Sequence, residues 1–108
     1  IGLYDDEIAD LWCGFFCHSH YDGIRQWGQP DDSGIPALKR LRRLGKRPQF
    51  ISHEMSVEAT RKYLEEHAPG GAFTFYPLPF KNHTDLWVLR DLPARQKLRS
   101  WLHGVIDQ

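Results

Sequence analysis

Residues 13–20, Cys-Gly-Phe-Phe-Cys-His-Ser-His, place Cys13, Cys17, His18 and His20 within a single short stretch. Thiolate and neutral imidazole are donors that zinc takes. The stretch is therefore a candidate metal site, and it carries one functional reading: a small metal-binding protein or enzyme. Zinc sites that hold a fold together pair ligands from separate segments, whereas Cys13 and Cys17 are the only cysteines in the chain. The other histidines, His53, His67, His83 and His103, stand alone along the sequence. The competing expectation makes the two thiols small buried hydrophobes on the flank of a core helix, with no cofactor. Three residues separate the cysteines, against the two of a thioredoxin-type redox pair.

Other chemistry is sparser. Asp22, Asp31 and Asp32 could offer clustered carboxylates to a hard cation. The Asp31-Asp32-Ser33-Gly34 run also suits a turn that caps a helix. Ser19, Ser33, Ser52, Ser56 and Ser100 lack the context of a nucleophile elbow, and there is no Gly-rich phosphate loop. Lys39, Arg40, Arg42, Arg43, Lys46 and Arg47 form a basic run that could meet nucleic-acid phosphates. It could equally dock an acidic protein partner through Arg40, Arg43, Lys46 and Arg47. Trp27, between Gly23 and Gly28, is a candidate interface anchor; Trp12, Trp87 and Trp101 read as core.

These groups need a scaffold, and the composition supplies one. At 108 residues with 41% hydrophobic and 13% aromatic content, the chain can bury one core. Its 14 bases and 14 acids cancel, so no global field recruits nucleic acid or a membrane surface. The cancellation hides an acidic start (Asp5, Asp6, Glu7, Asp10) that precedes the basic run in sequence. No apolar run approaches the roughly 20 residues of a membrane span, and the start does not read as a signal peptide. Two cysteines are too few for a disulfide scaffold, which suggests a reducing, cytoplasmic setting.

Ile8, Leu11, Trp12, Phe15 and Phe16 recur with helical period and predict a helix over 5–17. Turn formers fill 18–33, with a short strand possible around Ile24. An α/β unit over 34–108 follows within the same single domain. Ile35, Leu38, Leu41 and Leu44 stripe a second helix, which Gly45 and Pro48 stop. Residues 49–52 suggest a strand, and Ser56 caps a third helix to about His67 with Glu58 and Lys62 paired. Pro69-Gly70-Gly71 ends that helix, and 72–76 reads as a buried strand. Leu86–Leu89 suits a strand or a helix start. Leu98, Trp101, Leu102, Val105 and Ile106 mark a last helix from Pro93. The order predicts a short, mostly parallel sheet flanked by helices.

Pro30-Asp31-Asp32-Ser33-Gly34, the strand ending at Ser52, Gly71-Ala72 and Leu78-Pro79-Phe80 together resemble the later part of a response-regulator receiver domain, over 30–108. The resemblance implies a receiver/flavodoxin-like fragment. In that family a lysine stands where this chain has Leu78, and the phosphoacceptor aspartate falls near Arg25 and Gln26. Ser52 alone keeps the place of the phosphate-sensing hydroxyl. A pseudo-receiver without phosphoacceptor chemistry is what the resemblance implies. Phe50-Ile51-Ser52-His53-Glu54, Pro69–Phe73 and Leu86–Arg90 also resemble the first half of a Src-homology phosphotyrosine-binding domain, with Tyr76 where the phosphate-binding arginine belongs.

The leading expectation is thus a non-catalytic regulatory or protein-interaction module. A metal-binding protein or enzyme using Cys13, Cys17, His18 and His20 is the alternative, and nucleic-acid binding through 39–47 is a third.

Overall fold

A computed structural model describes residues 2–24, 28, 34–81 and 83–107. Three parallel strands form one sheet in the order β1 (Phe15–His18), β2 (Gln49–His53), β3 (Phe73–Pro77). Helices α1 (Asp6–Ala9), α2 (Gly34–Leu44), α3 (Glu58–His67) and α4 (Pro93–Ile106) surround it, with a 3-10 turn at Leu86–Leu89. This is the α/β architecture with a short parallel sheet that the alternation of elements predicts.

The helix expected over 5–17 is corrected. Only Asp6–Ala9 is helical, with Asp5 capping Ile8 N at 2.8 Å, and Phe15–His18 is a strand. Leu11 and Trp12, assigned to the buried stripe of that helix, are exposed. The apolar spacing fitted a helical period, but partners distant in sequence decided the outcome. Phe15 pairs with Gln49 and His18 with Ser52, so backbone hydrogen bonding to β2 displaces the local helix. Gly14 permits the entry: a Cβ there would stand 3.0 Å from Pro48 O.

The strand–helix–strand order sets the layers. The crossovers β1–α2–β2 and β2–α3–β3 run in one direction across the sheet, and crossovers of one hand put both helices on one face. Leu41, Leu44, Ile51, Leu64 and Tyr21 form that core, with Cys17, Phe15, Phe73 and Phe75 packed against it. The opposite face buries Phe50, Leu78, Trp87 and Ala94, with Tyr76, Leu98 and Trp101 around them.

α2 forms where its stripe predicts, ended by Gly45 at φ +60°, which suits the residue without a Cβ. Ile35, assigned to the stripe, is exposed, and Ala37 is buried instead. Ser56 Oγ accepts from Glu58 N at 3.1 Å at the start of α3. There Glu58 meets Arg61 at 3.4 Å, one position earlier than the expected Lys62. Leu86–Leu89 is neither strand nor α-helix but the 3-10 turn, and Ile24 lies in a turn rather than a strand. Among the described residues no helix is long and apolar enough to cross a membrane.

Three of the six bases of the run, Arg40, Arg43 and Arg47, are engaged within the chain, and Lys39, Arg42 and Lys46 are exposed. Arg43 donates to Leu3 O at 2.8 Å, to Tyr4 O at 2.9 Å and to Asp6 at 2.9 Å. Arg47 reaches Trp12 O at 3.2 Å and Asp10 at 3.1 Å, and Arg40 grips Asp22 through two hydrogen bonds, at 2.5 and 3.0 Å. Asp6 and Asp10 of the acidic start thus pair with Arg43 and Arg47 of the basic run. Exposed pairs of this kind each contribute about 0–1 kcal/mol; the arginine hydrogen bonds to backbone carbonyls strap 3–12 across α2.

Candidate functional site

In open parallel sheets, ligand sites form beyond the carboxyl ends of the strands, because that is where the crossover loops converge. Here β1 ends at His18 and runs into Ser19-His20, while β2 ends at His53 and runs into Glu54. Strand alternation sends His18, Ser52 and Glu54 to the Trp87 side of the sheet, and Cys17 to the α2 side. The loop after β3 brings His83 over the same edge.

Glu54 is the hub. Its Oε1 accepts from Ser19 Oγ at 3.1 Å and from His83 Nδ1 at 2.8 Å. Its Oε2 lies 4.0 Å from His18 Nε2 and 3.6 Å from His53 Nδ1. The His53 contact is not a hydrogen bond: Nδ1 already accepts from Met55 N at 2.9 Å. Burial pushes the Glu54 carboxyl up, but hydrogen bonds from its own backbone, His83 and Ser19, with the nearby His53, outweigh it and bring it to about 2. Glu54 is therefore ionised and acceptor-only, and His83 must donate to it from Nδ1.

His18 is the buried counterpart. Its Nδ1 lies 2.9 Å from Ser52 Oγ, and its ring meets the edge of Trp87 at 6.2 Å and stacks on His83 at 6.3 Å. Desolvation holds its pKa below the ordinary 6.5 against the opposing pull of Glu54, with His83 and His53 adding to the lowering. The ring is neutral at pH 7. His18 Nε2 and Glu54 Oε2 are both buried and lack any hydrogen-bond partner among the described residues. Such orphans are rare in native interiors and call for an explanation.

Ser19 adds backbone strain at the same spot. Its φ is 68°, in the left-handed region that side chains other than glycine rarely adopt. His20 N closes a tight turn onto His18 O at 2.8 Å. The turn aims Ser19 Oγ at Glu54 and sets the exposed His20 ring 5.3 Å from His83. A cleft of about 300 Å³ opens beside them, lined by Ser19, His20, Tyr21, His53, Glu54 and the start of α3. The size suits a small molecule.

The sequence candidates scatter. His18 and His20 join this cluster; Cys13 is exposed before β1, and Cys17 lies under α2, so the four expected metal donors do not converge. Among the described residues no group of three His, Cys, Asp or Glu side chains forms a ready-made metal site. Arg40, Arg43 and Arg47 engage the chain itself, and Lys46 is exposed. Trp27 lies outside the described residues, as do Arg25, Gln26, Pro30, Asp31, Asp32 and Ser33. His53 and His83, isolated in sequence, are instead gathered by Glu54. A legible signal existed for His53-Glu54, since it follows directly on the strand at 49–52, where ligand sites lie.

The two cysteines give a direct check on the strand. Burial, assisted by Asp22, pushes the Cys17 thiol up to about 11, leaving roughly 10⁻³ of it as thiolate at pH 8. Iodoacetamide at pH 8 is expected to label exposed Cys13 at least about 100-fold faster than Cys17. Comparable rates by peptide mass spectrometry would contradict the burial of Cys17 beneath α2.

Comparison with known proteins gave no matching family model, no matching curated protein and no matching solved structure.

Proposed function

We propose that His18, Ser19, His20, Glu54 and His83 form the catalytic centre of a small hydrolase. The observation that carries this is the facing pair of unsatisfied buried atoms, His18 Nε2 and Glu54 Oε2, 4.0 Å apart. A substrate water placed about 2.8 Å from each would satisfy both. A carboxyl at about 2 is too weak a base to take a proton near neutrality. Glu54 instead holds one side of that water and anchors His83 through its Nδ1–H. The base within reach of the water is His18 Nε2, which carries the lone pair when Nδ1–H donates to Ser52 Oγ. It is not a Ser-His-Glu triad, because Ser19 and Glu54 both approach His83 at Nδ1. Ser19 therefore positions Glu54 and is not the nucleophile.

The same atoms support a second reading, a single divalent metal. His18 and His83 each have Nδ1 engaged, by Ser52 and Glu54, which is the outer-shell pattern that turns Nε2 toward a metal. His20 would be the third imidazole, after rotation of the exposed His20 and His83 rings, which do not converge as they stand.

One experiment tests both. Protein stripped with chelator is assayed on 4-nitrophenyl acetate and bis(4-nitrophenyl) phosphate, alone and with one equivalent of zinc or manganese. Metal-independent turnover that Glu54→Gln and His83→Ala abolish supports the acid–base centre. Turnover that returns only with stoichiometric metal supports the second reading. A rate equal to that of those variants under every condition overturns the hydrolase.

A further inference from the structure

Trp87 is 2% exposed, yet its indole Nε1 is buried with no hydrogen-bond partner among the described residues. Burying an N–H without an acceptor costs about 1–3 kcal/mol, so this indole is an unmet donor among the described residues. A cavity of about 400 Å³ adjoins it, lined by Phe80, Thr84, Leu86, Trp87, Arg90 and Leu92. Phe80, Leu86 and Leu92 make an apolar wall. Arg90 is the cation of the cavity, and among the described residues its guanidinium has no carboxylate partner; nearby Asp91 instead accepts from Gln96 at 3.3 Å. Thr84 Oγ1 accepts from Leu86 N at 3.1 Å, which leaves its O–H free to donate.

We infer that this cavity is a binding site for a small organic carboxylate carrying an apolar, aryl-sized group. The apolar group packs on Phe80, Leu86 and Leu92. The carboxylate is held by Arg90 and Thr84, beside the Trp87 ring. One cation with one neutral hydroxyl donor matches a monoanion, and a guanidinium fork matches a carboxylate in two-point contact. A dianionic phosphate would call for more positive charge than a single arginine supplies. Trp87 meets the ring of His18, and Thr84 follows His83 directly in the chain, so a ligand anchored here extends toward the histidine cluster. The site deepens the hydrolase reading by naming the substrate class, and that class rests on that reading; binding itself does not.

The test is a titration of ¹⁵N-tryptophan-labelled protein with 3-phenylpropionate, 3-phenylpropionamide and phenyl phosphate, following the Trp87 indole N–H resonance by NMR. The acid is expected to shift that resonance and to bind about tenfold or more tightly than the neutral amide. Arg90→Gln, an exposed substitution that leaves the core untouched, is expected to weaken the acid by a similar factor, and Arg90→Lys to restore only part of it. Glu54→Gln is expected to leave the affinity within about twofold, since the two sites share no polar contact. An indole resonance that no probe moves, equal binding of acid and amide, tighter binding of phenyl phosphate, or unchanged affinity in Arg90→Gln each overturns the site. Binding that survives in a protein without hydrolytic activity overturns the hydrolase reading alone.

Discussion

Glu54→Gln is expected to lower the hydrolytic rate by about 10²–10⁴-fold while leaving the fold intact, the order lost when an acid–base centre loses the carboxylate that positions it. Glutamine keeps the shape of glutamate but not its function at the hub. Oε1 accepts two donors, Ser19 Oγ–H and His83 Nδ1–H, and Oε2 faces His18. An amide that turns its oxygen to Ser19 and His83 points its NH₂ at His18 Nε2. One that turns the other way confronts two donors with a third. Either way the charge that selects the His83 tautomer is gone.

The pH dependence of stability gives an independent readout. The Glu54 carboxyl is held at about 2 in the fold against an ordinary 4.5. Its stabilisation is fully present above about pH 4.5 and is lost as the pH falls through about 2. His18 is also depressed, so its contribution is present above 6.5 and is lost as the pH falls through its lowered folded value. Both make the protein acid-labile. Urea midpoints measured from pH 8 to pH 2 are expected to lose the lower part of this decline in Glu54→Gln and to keep the upper part. At pH 7 the variant is expected to be about 2 kcal/mol less stable, as for loss of hydrogen bonds to a charged group. A variant with the full acid-labile profile of the parent would place the low carboxyl elsewhere.

Phe50→Ala is expected to be the most damaging single substitution to the fold, at about 4 kcal/mol. Phe50 is 0% exposed on the central strand. Its ring meets Phe16 at 5.9 Å, Tyr76 at 5.9 Å and Trp101 at 5.7 Å, joining the shared face of all three strands to α4. Truncation leaves a cavity under α4 and beside Trp87, with neighbours on fixed strands that cannot collapse into it. A domain's whole stability is about 5–15 kcal/mol, so the loss is a large share of the total. Phe50→Leu is expected to cost about half as much. Chemical denaturation with a two-state fit checks both. A cost for Phe50→Ala below about 1.5 kcal/mol, well under the usual range for a buried phenylalanine, would mean that the face carrying Trp87 and α4 is not packed as described.

Sequence and structure divide along a physical line. α2, β2, α3, β3 and α4 were legible because each carries its own local signal: the leucine stripe ended by Gly45, the short runs Gln49–His53 and Phe73–Pro77, and the apolar period from Pro93. The beginning of the chain was not. Ile8, Leu11, Trp12, Phe15 and Phe16 satisfy a helical period. A short strand whose partner, Gln49–Ser52, lies far along the chain has no local signature. A helix would have grouped Cys13 and Cys17, whereas the strand alternates Cys17 away from His18.

The sequence by itself thus determined the α/β alternation, the parallel sheet and the presence of unusual donors at His18 and His20. It did so because helix stripes, caps and short apolar runs act over a few residues. Only the tertiary structure decided which donors meet. Glu54 gathers Ser19 and His83 across separations of 35 and 29 residues, and His18 reaches Ser52 across 34. Those meetings follow from strand register and from the loop after β3, and register is a pairing between distant segments that no local spacing encodes.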